Sequence, residues 1–215
     1  MKDRNEWLVP LTGVAFIVVA IASFAIAGEP VEARDGADKV VAHYVENEDS
    51  TRIGAVGATL ASVLLIFFFG YVRKVLRAAE GENGMLSVIV LVGAAIAATG
   101  IAIDSTIMFA LADAGDDIDP VAAQSLQALW DNDFLPIALG TLVVLWAAGL
   151  SIVRHGALPK WLGWVAIVLG VLSVTPLFFV AFGGLAIWIL IVSVMLTLRA
   201  RSAQVPPPPG QTSLG

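Results

Sequence analysis

Cysteine is absent from the 215 residues, which excludes a disulfide framework, a thiolate metal site and a cysteine nucleophile. Charge is scarce: Asp, Glu, Lys and Arg make up 14% of the chain, where soluble domains run near 25%. Histidine occurs only at His43 and His155. No phosphate-cradling glycine loop, HExxH zinc signature or Ser–His pairing is present, so an intramembrane hydrolase has little support. These gaps argue against an enzyme and give no reason to expect a cofactor or a metal. The net charge of −6 also speaks against a nucleic-acid partner.

What the chain has instead is apolar length. Hydrophobic residues make up 58% of it, and the mean hydropathy is +0.87. About 20 helical residues, rising about 1.5 Å each, cross a hydrocarbon core of about 30 Å. A polytopic, all-α bundle of transmembrane helices is the class that fits, because backbone polar groups in lipid must be satisfied within the segment. The bilayer is its first partner.

Six spans are predicted, over residues 8–27, 53–72, 86–112, 134–153, 161–180 and 183–198. The first resembles a signal peptide at Ala25-Ile-Ala27, but its apolar run is too long and its N-terminal flank carries Asp3 and Glu6. The stretch from Trp161 to Leu198 would make one helix of about 57 Å, too long for a single crossing. Pro176 and the pair Gly183-Gly184 offer the break, so it reads as two spans joined by a hairpin. Residues 202–215, with four consecutive prolines, read as a disordered cytoplasmic tail.

Two loops carry short amphipathic helices. Ala37, Val40, Val41, Tyr44 and Val45 recur at helical spacing. Further on, Asp119 is a good N-cap with Pro120 at the first helical position, and Val121, Ser125, Leu129 and Trp130 share a side. Six spans put both termini on one side with Lys2, Arg4, Arg73, Lys74, Arg77, Arg154, Lys160, Arg199 and Arg201. Only Arg34, Lys39 and Arg52 lie opposite, so the positive-inside rule predicts both termini in the cytoplasm of a bacterial cell. The outer loops then hold 13 acidic residues. His43 and His155 fall on opposite sides and share no metal, and the spacing of Asp113, Asp116, Asp117 and Asp119 matches no EF-hand loop. Trp7, Trp161 and Trp164 are expected at the inner interface, with Trp130 and Trp188 toward the outer one.

The sharpest functional signal is Asp104, the one formal charge inside a hydrophobic segment. Gly93, Ala97, Gly100 and Asp104 are spaced 4, 3 and 4 apart, which places them on one helical face. Small residues let helices approach closely, so that face should look into the bundle and carry Asp104 with it. The segment's midpoint near Thr99 puts Asp104 about 7 Å from the midplane. An ionisable group within a span is by default a functional candidate for proton coupling, cation binding or a polar ligand. The plainer reading is a carboxyl hydrogen-bonded to Ser105, Thr106 or a neighbouring span. Arg52 tops the second span on the same side and is the candidate partner, although side chains lean toward their own helix N-terminus and aim the two apart.

The run His155-Gly-Ala-Leu-Pro-Lys-Trp-Leu-Gly-Trp164, with Ala42-His-Tyr-Val45 and Leu129-Trp-Asp131, resembles a family of six-pass bacterial membrane proteins, frequent in actinobacteria and known as a domain of unknown function. The resemblance covers most of the chain. It implies the six-pass fold, an interfacial turn and a loop helix, and it assigns no activity and no catalytic residue. Two functions stay open. One is a non-enzymatic accessory or interaction protein, whose partners are other membrane proteins. The other is a small-molecule or ion binder or transporter whose outward-facing cavity reaches Asp104. A polar cavity between Asp104 and the outer surface would favour the second, and a dry interior the first.

Overall fold

The computed structural model describes residues 6–202. The first five residues and residues 203–215, which hold the prolines of the expected tail, lie outside the described residues. Within them the chain is helical and forms no strand. A 3-10 turn over Glu6–Leu11 leads into α1 (Thr12–Ala27), followed by α2 (Ala37–Glu46), α3 (Glu48–Glu80), α4 (Met85–Ala114), α5 (Pro120–Trp130), α6 (Phe134–His155), α7 (Lys160–Leu172) and α8 (Phe178–Ser202).

Six of these, α1, α3, α4, α6, α7 and α8, make the hydrophobic bundle; α2 and α5 are the two loop helices. Five helical stretches are long and apolar enough to cross a membrane: Glu6–Ala27, Glu48–Glu80, Met85–Ala114, Pro120–His155 and Phe178–Ser202. α7 is the short sixth, with 13 residues. α3 is much longer than the apolar run 53–72. It begins at Glu48 and continues through Arg73, Lys74 and Arg77, residues with good helix propensity, until Gly81 stops it at φ 73°.

The hairpin between the last two spans differs from the expectation. α7 ends at Leu172 and the chain turns over Ser173–Leu177, so the break is at Pro176 alone. The missing N–H of proline and the extended bias of the residue before it stop the helix. The Ser173 and Thr175 hydroxyls donate to the carbonyls of Gly170 and Leu172 and hold the turn. Gly183 and Gly184 lie inside α8. A Cβ at Gly184 would collide with Leu169, so this glycine serves the approach of α8 to α7.

α4 is the central helix, packed along α3 on one side and α6 on the other. α1 lies on α3, α7 on α6, and α8 closes the bundle against α1, α7 and the 3-10 turn. The core holds Phe68, Phe69, Leu76, Leu145, Ile152, Leu162 and Ile189, all at most 1% exposed. Trp188 belongs to it as well and not to the outer interface: it is 1% exposed, stacks on Phe69 at 6.4 Å between centroids, and its indole N–H donates to the Leu162 carbonyl at 3.0 Å. Burial against Phe69 with the indole N–H satisfied outweighs the interfacial preference of indole. The two ends of the described chain meet. Ser193 Oγ donates to the Pro10 carbonyl, and the Arg201 guanidinium lies 4.1 Å from the centre of the Trp7 ring.

The loop helices form a cap with its own small core of Val40, Tyr44, Leu111, Ala112 and Ala123. Here α5 departs from the expected orientation. It buries Ala123 and Gln127 and turns Val121 (66% exposed) and Leu129 (54%) outward. The polar Gln127 wins the inward position because three hydrogen bonds await it there, whereas Val121 and Leu129 face away from the cap.

Candidate functional site

The stripe on α4 explains the position of the site. A Cβ at Gly93 would sit 2.6 Å from the Val144 nitrogen, and one at Gly100 would sit 2.8 Å from Ile137 Cγ1 and 2.9 Å from its nitrogen. Between them, Gly140 of α6 closes directly on the backbone of Ala97. The two antiparallel helices thus pair Gly93 with Val144, Ala97 with Gly140 and Gly100 with Ile137, in one unbroken register. The next step along that register brings Asp104 to Asp133, the N-cap residue of α6. Their carboxyl groups lie near each other where α4 passes the start of α6.

Two adjoining carboxyls repel when both are ionised and attract when one of them is protonated. None of the ion pairs among the described residues involves either one. Both side chains are half-buried. Asp133 makes no side-chain cap bond to α6, and its Oδ2 is buried without a hydrogen-bond partner from the protein. The positive end of the α6 dipole favours negative charge at this position.

The height of the pair is also set by this register. α4 continues ten residues, about 15 Å, beyond Asp104 to Ala114, while α6 begins beside it. Asp104 therefore lies level with the N-terminal end of α6, and the midpoint of α4 is a poor guide to its depth. Arg52 does not meet it. Its guanidinium bridges Glu48 Oε1 and Asp113 Oδ1, both at 2.6 Å, higher up where α3 and α4 leave the bundle.

Above the pair lies a cavity of about 60 Å³ lined by Phe24, Ala27, Gly28, Pro30, His43, Tyr44, Thr51, Met108 and Trp130. Met108 stands one helical turn above Asp104, and Trp130 is three residues before Asp133. The Thr51 hydroxyl and the Trp130 indole N–H are buried and have no protein partner. Thr51 shares this state with Thr141 of α6. Ser23, Thr59, Ser105 and Thr106 each return their hydroxyl to the carbonyl four residues back in their own helix.

The cap over the cavity is tied by a polar network. Tyr44 Oη donates to Gln127 Oε1 at 2.6 Å, and Gln127 Nε2 donates to the Val31 carbonyl and Asp131 Oδ1, both at 2.8 Å. Asp131 Oδ2 accepts the Ala33 amide at 2.9 Å, and Gln124 Nε2 donates to the Ala33 carbonyl at 2.8 Å. Burial pushes the Tyr44 phenol upward, with the negative charges of Asp131 and Asp104 adding to it, so it stays a donor. Burial holds the His43 imidazole below its ordinary value of 6.5, partly opposed by Glu46.

Of the other candidates, His155 is exposed at the end of α6, and Asp119 caps α5 by accepting the amides of Val121 and Ala122. Among the described residues no group of three or more His, Asp or Glu side chains is placed to hold a metal ion. Asp133, Thr51 and Gln127 were not singled out by the sequence. The usable signal for Asp133 was the small-residue stripe itself, once matched to Gly140 across an antiparallel seam.

A sequence profile of a domain of unknown function, DUF4386, matches residues 11–203. The chain belongs to the DUF4386 family. No curated protein and no solved structure matches it. The DUF4386 match spans all six hydrophobic helices and both cap helices, so cap and bundle fall within one family unit. The DUF4386 description carries no activity, and the site must be read from its own chemistry.

Proposed function

We propose that this chain is a non-enzymatic protein of the bacterial cytoplasmic membrane, an accessory or interaction protein that works from its capped outer face. The observation that carries this reading is the contrast across Asp104. Toward the inner side, α4 and α6 close backbone against backbone at Gly93, Ala97 and Gly100. Toward the outer side stands a cap tied by the hydrogen bonds of Tyr44 and Gln127, which presents Val121 and Leu129 to its surroundings. A carrier needs a route that can open to both sides, and α4 and α6 are in backbone contact at Gly93, Ala97 and Gly100, on one side of the acidic pair.

The cavity above Asp104 favours a second reading, an outward-facing binder of a small polar molecule or ion. It supports binding without transport, for the same reason. Reconstituted vesicles test both readings: the expected result is no flux of protons or small cations above protein-free vesicles. Steady flux that Asp104→Asn abolishes would overturn the accessory reading and establish a carrier.

The orientation, with both termini in the cytoplasm, rests on nine Lys and Arg residues against three. The cysteine-free sequence makes the test clean. Gly115→Cys should react with a membrane-impermeant thiol reagent added outside intact cells, and His155→Cys should react only after permeabilisation. The reverse pattern would invert the topology.

A further inference from the structure

We infer that the groove between α3 and α4 seats an acyl chain of a glycerophospholipid with an aminoethyl phosphate headgroup, held at the rim by Glu48, Arg52 and Asp113. The groove has a volume of about 210 Å³. Ala55 and Ser105 form its buried floor, and the partly exposed Val56, Leu60 and Phe109 form its walls. The hydroxyls of Thr59, Ser105 and Thr106 donate to carbonyls of their own helices. None is left for a polar ligand, whereas a hydrocarbon chain asks for none.

Helical spacing carries this apolar face up to a set of charges. Arg52, Val56 and Leu60 recur every four residues on α3, as Ser105, Phe109 and Asp113 do on α4, so each set shares a face. The two faces close at the end nearest the cap, where Arg52 Nη2 donates to Asp113 Oδ1 at 2.6 Å. Arg52 also marks a boundary along α3, which carries no charged residue from Ile53 to Val72. Headgroups lie where such an apolar run ends.

The rim alternates in sign, and so does the proposed headgroup. Arg52 stands between Glu48 and Asp113, each bound to it through one carboxylate oxygen and still partly exposed. The Arg52 Nε–H is covered and has no acceptor in the protein, which an added phosphate oxygen would relieve. A primary ammonium two carbons from that phosphate then meets the carboxylates. A phosphoglycerol head would bring only negative charge between two acids, and a trimethylated ammonium has no N–H to donate. The apolar walls alone would suit a partner's helix as well; the paired signs at the rim favour the lipid. The inference rests on the chain lying in a bilayer and is independent of its accessory role.

Native mass spectrometry of the full chain in detergent tests this with three lipids of identical acyl chains, bearing aminoethyl, trimethylaminoethyl or glycerol phosphate heads. The aminoethyl lipid should bind as one resolved copy, about 5-fold or more tighter than the other two. Arg52→Gln should weaken it by about 10-fold and abolish the preference. Thr59→Phe, which fills the groove and leaves the rim intact, should weaken all three lipids alike. If a variant does not fold, the wild-type preference and the other variant decide. Equal affinity for the three heads would overturn the proposal, as would a preference that Arg52→Gln keeps. So would lipid binding that Thr59→Phe leaves unchanged, and a wild-type dimer split by that variant would then give the groove to a second copy of the chain.

Discussion

The α4–α6 seam and the cap of α2 and α5 meet at Asp104, and they are held together by different physics. Along the seam, helices touch through Gly93, Ala97, Gly100 and Gly140, with no side chain between the backbones. In lipid there is little hydrophobic gain from pairing helices, so close van der Waals fit must supply the attraction. In the cap the contacts are long-range side-chain hydrogen bonds, from Tyr44 to Gln127 and from Gln127 and Asp131 to the loop at Val31 and Ala33. Water competes for those groups when the cap opens, so each bond contributes only about 0.5–1.5 kcal/mol net. The seam should therefore fail abruptly when its fit is spoiled, and the cap gradually.

Gly140→Leu strikes the seam hardest. Its Cβ lands on the Ala97 backbone, which cannot rotate away as a side chain would, so a loss of about 3 kcal/mol or more is expected. The measurement is the thermal midpoint in detergent. Gly183→Leu is the matched control, since nothing lies within 4 Å of a Cβ there, and it should leave the midpoint unchanged or slightly raised. Equal damage from both would erase the distinction drawn for the seam.

Gln127→Leu should come next. It leaves the Tyr44 hydroxyl and the Val31 carbonyl without partners, at about 1–3 kcal/mol in the cap. Hydrogen exchange should then rise across α2 and α5 while α4 and α6 below Asp104 stay protected. Exchange rising equally in the bundle would show that the two regions unfold as one.

Much of this division could be read from the sequence. The all-helical bundle, the two loop helices, the Asp119 cap and the inward stripe on α4 all follow from hydropathy and helical spacing. The facing of α5 did not, because Val121, Ser125 and Leu129 share a side just as well as Ala123 and Gln127 do. Only the partners waiting at Tyr44, Val31 and Asp131 decide between them. Pro176 was legible as a break, whereas the place of Gly183-Gly184 inside α8 and the burial of Trp188 depend on α7 and α8 meeting. Asp133 was hidden for a simpler reason: at the start of an apolar run it looks like any helix cap until the register with α4 is known.

Smaller effects sharpen the boundary between the regions. Arg52 is about a third exposed, and Arg52→Gln should cost about 0.5–1 kcal/mol, shrinking as salt is raised. A salt-independent loss would mean that its alkyl chain, and not its charge, ties α3 to α4.

The smallest effect is one of pH. Burial depresses the folded-state value of His43 below 6.5, so the unfolded cap binds a proton more readily than the folded one. The stability contribution is full above about 6.5 and declines as pH falls from there through the depressed folded value. Cap exchange should accelerate on acidification across that window, and His43→Gln should flatten the dependence. An unchanged profile in His43→Gln would assign the acid sensitivity to the carboxylates instead.

The hydrogen bond from Ser193 to the Pro10 carbonyl joins residues 183 positions apart. On a ribosome adding about 5–20 residues per second, the first helix waits roughly ten to forty seconds for the last one. During that interval Pro10 and Trp7 lack the contacts that hold them in the finished protein. An insertion chaperone acting on this chain would have its longest opportunity there, at the N-terminal end of α1.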